Sequence, residues 1–592
     1  MQFYLDGYEP GDPMIQAPRG EQPADLPETA DVVIVGGGPA GLVLAAQLAA
    51  FPELRTVVVE RRDGPLQVGQ ADGVACRTVE MFEAFGLADR LIGEGYQVNE
   101  VTFWRPDPAD PASIVRTGRV DDVEEGISEM PHMIVNQARM LAYLREHMAR
   151  SATRAEPYHG VHVTGVRVAD GEYPVVVETA DRTIRAKYVV GCDGSRSRTR
   201  EAMGLHLHGD ATHRSWGVLD VLAVTDFPDI RLKSAIASEQ GSILIIPREG
   251  GYLVRLYIEL ADGVTRDDVT PEELATVANR ILHPYEIDVR SVGWWAVYEI
   301  AQRVCDRFDD GDDPRVFIAG DACHTHSAKA GQGMNVSMAD AWNLGWKLGT
   351  VLRGTARPEI LRTYSAERQA VARRLIEFDK EFAALFSDRD AEPEKFQHYF
   401  REQGRYTAGV AVRYGPSLLT GEPVHQGLAE GFPVGMRFHS APVVRLADAK
   451  PMHLGHAARA DGAWRLYAFA DRSRAGLDAL CATLPVLLAR FTPQGAEPDS
   501  VIDVRAVLQQ GHRELSVADV SPVLLPRKGR FGLTDYEKVF CPDPVQDMFD
   551  LRKIDRDRGC IVVVRPDQYV AQILPLDGDL AGFLDRVLLP VH

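Results

Sequence analysis

Two hydrophobic periodicities alternate along the chain. The segment DVVIVGGGPAGLVLAAQLAAF is apolar throughout and broken only by clustered glycines. It predicts a strand at Val32–Val35 and a helix from about Pro39. TVVVE (Thr56–Glu60), AKYVVGCDG (Ala186–Gly194) and RVFIAGD (Arg315–Asp321) are short β-branched runs, as expected of strands covered on both faces. Between them, WGVLDVLAV, SILIIPR, YLVRLYIEL and WWAVYEI, all within Trp216–Ile300, mix alternation with aromatic residues and predict antiparallel strands. From Gly331 the period becomes helical, with Met338, Trp342, Gly345 and Leu348 on one stripe, and helices are expected to about Phe386.

This pattern predicts an α/β protein whose Rossmann-like cofactor domain carries an inserted, mainly antiparallel β layer. The expected divisions are 1–200 for the first part of the cofactor domain, with substrate-site segments near 70–135, 201–300 for the β-sheet substrate domain, and 301–416 for the second part with its helices. A linker at 417–440 then leads to a separate α/β domain at 441–592, built around WRLYAFAD, VIDVRAVLQQ and GCIVVVRPDQYVAQI. Residues 1–30, rich in Pro, Gly and acid, are expected to wrap the surface. A chain of 592 residues needs more than one core.

Charge narrows the partners. A net charge of −20 argues against nucleic acid or an anionic membrane, both of which call for a basic face. Seven cysteines without a C-x-x-C pattern suit a reducing cytoplasm. The run Val32–Phe51 has twenty residues without a charge, but its four glycines and proline favour strand, turn and helix over a membrane span.

Chemistry enters at two glycine-rich turns. Gly36-Gly37-Gly38-Pro39-Ala40-Gly41 is G-x-G-x-x-G between a strand and a helix, where a diphosphate can approach the backbone and rest on free N–H groups. Glu60 closes the next strand, placed to accept hydrogen bonds from a ribose and to repel a 2′-phosphate. The second turn lies in AGDACHTHSAKAGQGMN. Asp321, Cys323, His324 and His326 could be a metal set, but they divide between a strand end and a loop, and no second ligand cluster is evident in the sequence, so no metal is expected. Asp321 suits polyol hydroxyls instead. Gly331, Gly333, Met334 and Asn335 open a helix whose positive end suits the pyrimidine edge of a flavin. A dinucleotide with a ribityl chain needs such a second anchor, so FAD is expected and NAD is not the resident group.

G-x-G-x-x-G, Asp193-Gly194 and Gly320-Asp321 resemble the three fingerprints of class A flavoprotein aromatic hydroxylases. Ala328 stands where the family usually has proline, and Ala330 where glycine is common. GQADGVACRTVEMFEAFGL (Gly69–Leu87), EMPHMIVNQAR (Glu129–Arg139) and SEQGSILIIPREGGYLVRLYIE (Ser238–Glu259) are similar to the phenol hydroxylase branch, and the resemblance covers nearly the whole chain. It implies an FAD-dependent monooxygenase that uses O₂ and transient NADPH or NADH, bound near Asp193, to hydroxylate a phenolic ring. The implied reaction is 3-hydroxybenzoate to 3,4-dihydroxybenzoate, or the same chemistry on phenol, resorcinol or a larger phenol. A non-catalytic flavin-binding interaction protein is the reading from another class.

By resemblance, Asp72 is the general base and Tyr257 its hydrogen-bond relay. Lys233 and His132 face a substrate carboxylate, Gln137 the ribityl chain, and Arg77 the flavin side. The C-terminal region is implied to be thioredoxin-like, without thiol chemistry, and the protein a cytoplasmic homodimer.

Overall fold

The computed structural model describes residues 2–591 apart from 6, 10, 13, 21, 262, 326–331 and 388–402. The cofactor domain is a seven-stranded mixed sheet centred on Thr29–Val35, with Thr56–Glu60 on one side and Thr183–Gly191 on the other, both parallel to it. Val316–Ile318 pairs in parallel with the end of Thr183–Gly191. Burial follows period two, because successive side chains leave opposite faces of a strand. Val32 and Ile34 pack with the helix Pro39–Leu48, whereas Val33 and Val35 pack with Val57, Val59 and Val175 on the other face. Covering both faces explains why these strands are continuous apolar runs.

The helix Pro39–Leu48 lies against Gly333–Leu352, and the two approach closely because the latter lacks side chains at the contact. A Cβ at Gly349 would fall 2.3 Å from the ring of Phe51, which is fully buried.

The inserted sheet has eight strands and gathers Glu100–Asp107 and Asp110–Asp121 as well as the long strands of 207–305. Alternation again divides it. Leu219, Val221, Ile243, Ile245, Leu256 and Ile258 meet the helix Pro271–Leu282. On the opposite face Val218, Tyr257, Leu244 and Ala235 form one row by register, and Asp220, Arg255, Ile246 and Lys233 form the next. Polar residues thus sit on a face otherwise packed with Val101, Phe103, Ile134 and Trp216.

In the C-terminal domain, Trp464–Phe469 is central. Ile502–Val507 pairs parallel to it on one side, and the antiparallel hairpin Cys560–Val564 with Val570–Leu574 lies on the other. This is the thioredoxin-like arrangement, extended by Val539–Pro542 and Pro442–Arg445. The segment expected to be a linker has little regular structure but buries Leu419, Leu428, Phe432 and Val434, so it is packed rather than loose. Arg565 joins the two halves, bonding both carboxylate oxygens of Glu367 at 2.7 and 3.0 Å while also holding Asp567. Lys347 reaches the same Glu367 at 2.9 Å. Burial pulls the Lys347 amine down to about 8, against the attraction of Glu367. Among the described residues no helix is long and apolar enough to cross a membrane.

Gly349→Ala is expected to force Phe51 out of its packed position and lower stability by about 1–3 kcal/mol. Denaturant unfolding of the FAD-loaded protein measures this, and a change within about 0.5 kcal/mol would mean the two helices separate freely.

Candidate active site

Backbone conformation makes the first anion cradle. Gly36 has φ +109°, and a Cβ there would lie 2.3 Å from the carbonyl oxygen of Cys192. At Gly41 a Cβ would lie 1.9 Å from the carbonyl oxygen of Gly36, while the space above Gly38 is open. Pro39 and Ala40 begin the helix, and no side chain caps it, so its first N–H groups are free for an anion. Glu60 accepts the N–H of Gly37 at 2.7 Å and that of Arg62 at 2.9 Å. Burial opposes its charge, but those hydrogen bonds and the Arg62 guanidinium hold the carboxyl below its ordinary range. The adjoining cleft, about 410 Å³, is also lined by Asn136, Arg139 and His159. Both ring nitrogens of His159 are buried without a partner, as befits a site that awaits polar atoms.

The second anchor is similar. The helix Gly333–Leu352 begins at Gln332 without a side-chain cap. Asp321 is exposed beside it, its one hydrogen bond among the described residues a 3.4 Å contact from Ser337. Behind it, Asp340 is fully buried, accepting the N–H of Gly320 and facing His324 at 2.9 Å and Arg368 at 2.6 Å. His324 therefore braces the turn through Asp340 and does not join Asp321 and Cys323 in a cluster. His326, Ala328, Ala330 and Gly331 lie outside the described residues. Two uncapped helix ends, a ribose-side carboxylate and an open polyol-side carboxylate fit FAD.

Other expected cofactor residues act on the protein itself. Asn335 accepts from Ala75 and Thr78 and donates to Gly73, fixing the segment after Asp72, and Met334 is buried beside it. Oε1 of Gln137 accepts the N–H groups of Gln70 and Ala71 at 2.9 and 3.2 Å, so its carbonyl end orients the loop that carries Asp72. Asp193 accepts from Ser197 and Thr199 at the start of a short helix. Arg77, expected on the flavin side, is bonded within the protein. Its guanidinium turns to Glu80 and, across the domain boundary, to Gln568 at 2.6 Å and the carbonyl of Asp567 at 2.8 Å. Its two terminal nitrogens reach three acceptors, while its Nε is buried without a partner.

On the substrate side, Asp72 is 4% exposed. Its Oδ2 stands 3.3 Å from Arg248 and 3.2 Å from Arg255, close enough for attraction but not aligned for hydrogen bonds, so this oxygen has no donor. Arg255 Nη1 also donates to the Tyr257 hydroxyl at 3.3 Å and to the carbonyl of Gln70 at 2.5 Å, while Asp220 takes its other two nitrogens at 2.6 and 2.8 Å. Burial and the Asp72 charge push the Tyr257 phenol up to about 12, so it stays a hydroxyl. With its oxygen facing Arg255, its proton is free to donate.

Lys233, expected to face a substrate carboxylate, is paired within the protein. Its Nζ is 2.7 Å from Asp122, whose other oxygen lies 2.5 Å from Nδ1 of His132. The Asp122 side chain is only 2% exposed. Burial opposes its charge, yet Lys233 and His132 hold its carboxyl well below the usual range. An unpaired lysine would be costly on this apolar face, and Asp122 removes that cost.

Arg248, Arg255, Asp220 and Asp122 were not anticipated. Arg255 and Asp220 had a signal, since each is a charge inside an alternating apolar strand and Arg255 shares the parity of Tyr257. Asp122, in RVDDVEE, resembles any acidic loop. Tyr298, cross-strand from Trp216, has a buried hydroxyl without a partner and a phenol raised by burial.

The chain matches two families, an FAD binding domain over residues 29–379 and the phenol hydroxylase C-terminal dimerisation domain over 412–591. It is 54% identical to a 3-hydroxybenzoate 4-monooxygenase of Comamonas testosteroni, with 98% of both chains covered. It is 38% identical to an FAD-dependent monooxygenase of Aspergillus terreus, covering 94% of this chain and 96% of that one. Among solved structures, aklavinone-11 hydroxylase with FAD and aklavinone superposes with a TM-score of 0.70 at 21% identity, over 94% of this chain and 98% of the other.

Arg255→Gln is expected to leave Asp220 and Asp72 with Arg248 as their remaining cation and to lower stability by about 3 kcal/mol, the lower end for a broken buried pair. Arg255→Lys should recover part of that loss, because an ammonium keeps the charge but not the fork. Equal unfolding midpoints for wild type and Arg255→Gln would exclude the guanidinium as the link between loop and sheet.

Proposed function

The chain belongs to the FAD-dependent aromatic hydroxylases of the phenol hydroxylase branch and is a flavin-dependent monooxygenase; from that premise we propose that its substrate is 3-hydroxybenzoate, hydroxylated to 3,4-dihydroxybenzoate. The balance is substrate, O₂, NAD(P)H and a proton giving the catechol, water and NAD(P)⁺. One oxygen atom replaces a ring C–H with C–OH, and the other leaves as water. FAD, when bound, takes the hydride and delivers electrophilic oxygen.

The protein's part is to make the ring electron-rich and hold it in place. The substrate hydroxyl donates to the partnerless Oδ2 of Asp72, and Tyr257 donates to the same phenolic oxygen, sharing its developing charge. Arg248 and Arg255 remain charged beside them and limit the build-up of negative potential in a buried site. Trp216, Val218, Ile246 and Leu244 supply the apolar walls.

One observation carries the choice of substrate. Lys233 lies two strands from Arg255 on the same face, through Ile246, and hence about 10 Å away. A meta-hydroxy acid bound at Asp72 and Tyr257 points its carboxylate toward that end. Asp122 holds Lys233 and orients His132, and in this reading the substrate carboxylate is received beside that pair. The identity to the Comamonas enzyme supports the same substrate. The Asp122–Lys233 pair favours a second reading, an uncharged phenol, because the lysine is already compensated.

The C-terminal match supports a homodimer, and the absence of a paired cysteine framework supports a cytoplasmic setting.

Lys233→Met separates the two substrate readings. It is expected to raise KM for 3-hydroxybenzoate roughly 30-fold, corresponding to about 2 kcal/mol, and to leave neutral 3-substituted phenols nearly unchanged. Equal losses for charged and neutral substrates would remove Lys233 from carboxylate binding.

Asp72→Asn tests the chemistry. FAD content should persist, since the two helix ends and Glu60 are untouched. Product formation should fall roughly 10²–10⁴-fold, with NAD(P)H consumption diverted to H₂O₂. Normal coupling of NAD(P)H to product in this variant would exclude Asp72 as the proton acceptor.

A further inference from the structure

Away from the flavin and substrate sites, Glu129, His453 and His456 converge where the loop leading to His132 meets the C-terminal domain. Each offers one ligand atom, and these atoms lie within 4.8 Å of one another. Oε2 of Glu129 and Nδ1 of His453 are buried without a hydrogen-bond partner. The Glu129 side chain is 9% exposed, and its other oxygen stands 3.3 Å from Nε2 of His456. The two imidazoles stack with centroids 5.2 Å apart and planes inclined by 25°. Acceptor atoms rarely crowd together in a buried place without something to satisfy them.

We propose that Glu129, His453 and His456 bind a divalent transition metal of the zinc class. Two imidazoles and a carboxylate are a nitrogen-rich donor set that suits zinc and not magnesium or calcium, which prefer oxygen alone. Ligand atoms about 2.0–2.2 Å from such an ion stand roughly 3.4 Å from one another, so small side-chain rotations close the present set. A fourth position is left for water.

The nearby cations include Arg459, which lines the same pocket, and Arg437 and Arg552. Arg437 is bonded to the carbonyl of Ile127 and lies 3.3 Å from Glu80. Arg552 is fixed on the carbonyls of His439 and Ser440 at 2.8 and 2.6 Å. Both oppose a dication, while Glu80 and Glu83 add negative charge at the same boundary.

His453 ends the strand Pro451–His453, and His456 sits in the turn Leu454–Ala457 that follows. Glu129 precedes His132 by three residues. A metal here staples the C-terminal domain to the loop that positions the substrate-side histidine.

The test uses the full FAD-loaded chain, stripped with a chelator and titrated with Zn²⁺ or Co²⁺ alone. The expected result is one equivalent of zinc per chain by elemental analysis, visible cobalt bands of nitrogen and oxygen ligation, and a higher unfolding temperature. Glu129→Gln and His453→Asn should each weaken binding more than about 100-fold, beyond the loss from removing an outer partner, with FAD per chain unchanged. Binding that persists in both variants would place the ion elsewhere and overturn the site. Should either variant fail to fold, the wild type still decides, because lack of a stoichiometric equivalent and of a chelator-sensitive unfolding temperature overturns the proposal.

Discussion

A single buried guanidinium holds the catalytic side of this protein together. Arg255 is fully buried on the substrate-side sheet and makes four hydrogen bonds, two to Asp220 and one each to the carbonyl of Gln70 and the Tyr257 hydroxyl, beside Asp72. Burial alone would disfavour its charge, yet Asp72 and Asp220 hold it charged. The loop bearing Asp72 comes from the cofactor domain, whereas Asp220 and Tyr257 come from the inserted sheet. Arg255 therefore sets the distance between two bodies that share one reaction, and a planar fork does so where an ammonium could not.

The loop is held from its other side by the cofactor domain itself. Gln137 accepts from Gln70 and Ala71, and Asn335 binds Gly73, Ala75 and Thr78. Asn335 belongs to the same helix whose uncapped start suits the flavin, so cofactor-side and substrate-side geometry are fixed by one rigid element. Glu367, Arg565, Lys347 and Asp567 repeat the device between the cofactor helices and the C-terminal domain. Losing Arg565 by truncation would leave Glu367 and Lys347 in a cavity built for four charges. The C-terminal domain is thus part of the core of the enzyme as well as a dimerisation domain by family.

In the proposed binding mode, Asp122 makes Lys233 tolerable on an apolar face and sets the cost of binding an anion there. A lone lysine would attract a carboxylate strongly but destabilise the empty site. The Lys233–Asp122–His132 arrangement exchanges raw attraction for orientation, which is where specificity comes from when buried charges are paired in advance.

The sequence by itself determined the periodicities, the two glycine turns and the strand-end acids Glu60 and Asp321, because these are local: a turn needs glycine at Gly36 whatever surrounds it. It also placed the strands of Trp216–Ile300 and the packed helix with Gly345, since alternation and small-residue stripes are visible within one window. Pairings between distant segments were beyond it. That Asp122 would neutralise Lys233, that Arg77 would turn to Gln568 and Asp567, and that Arg255 would bridge Gln70 and Asp220 depends on which surfaces meet after folding. A charged residue satisfies its burial cost with whatever partner the tertiary structure brings within about 3 Å, and no spacing along the chain encodes that partner.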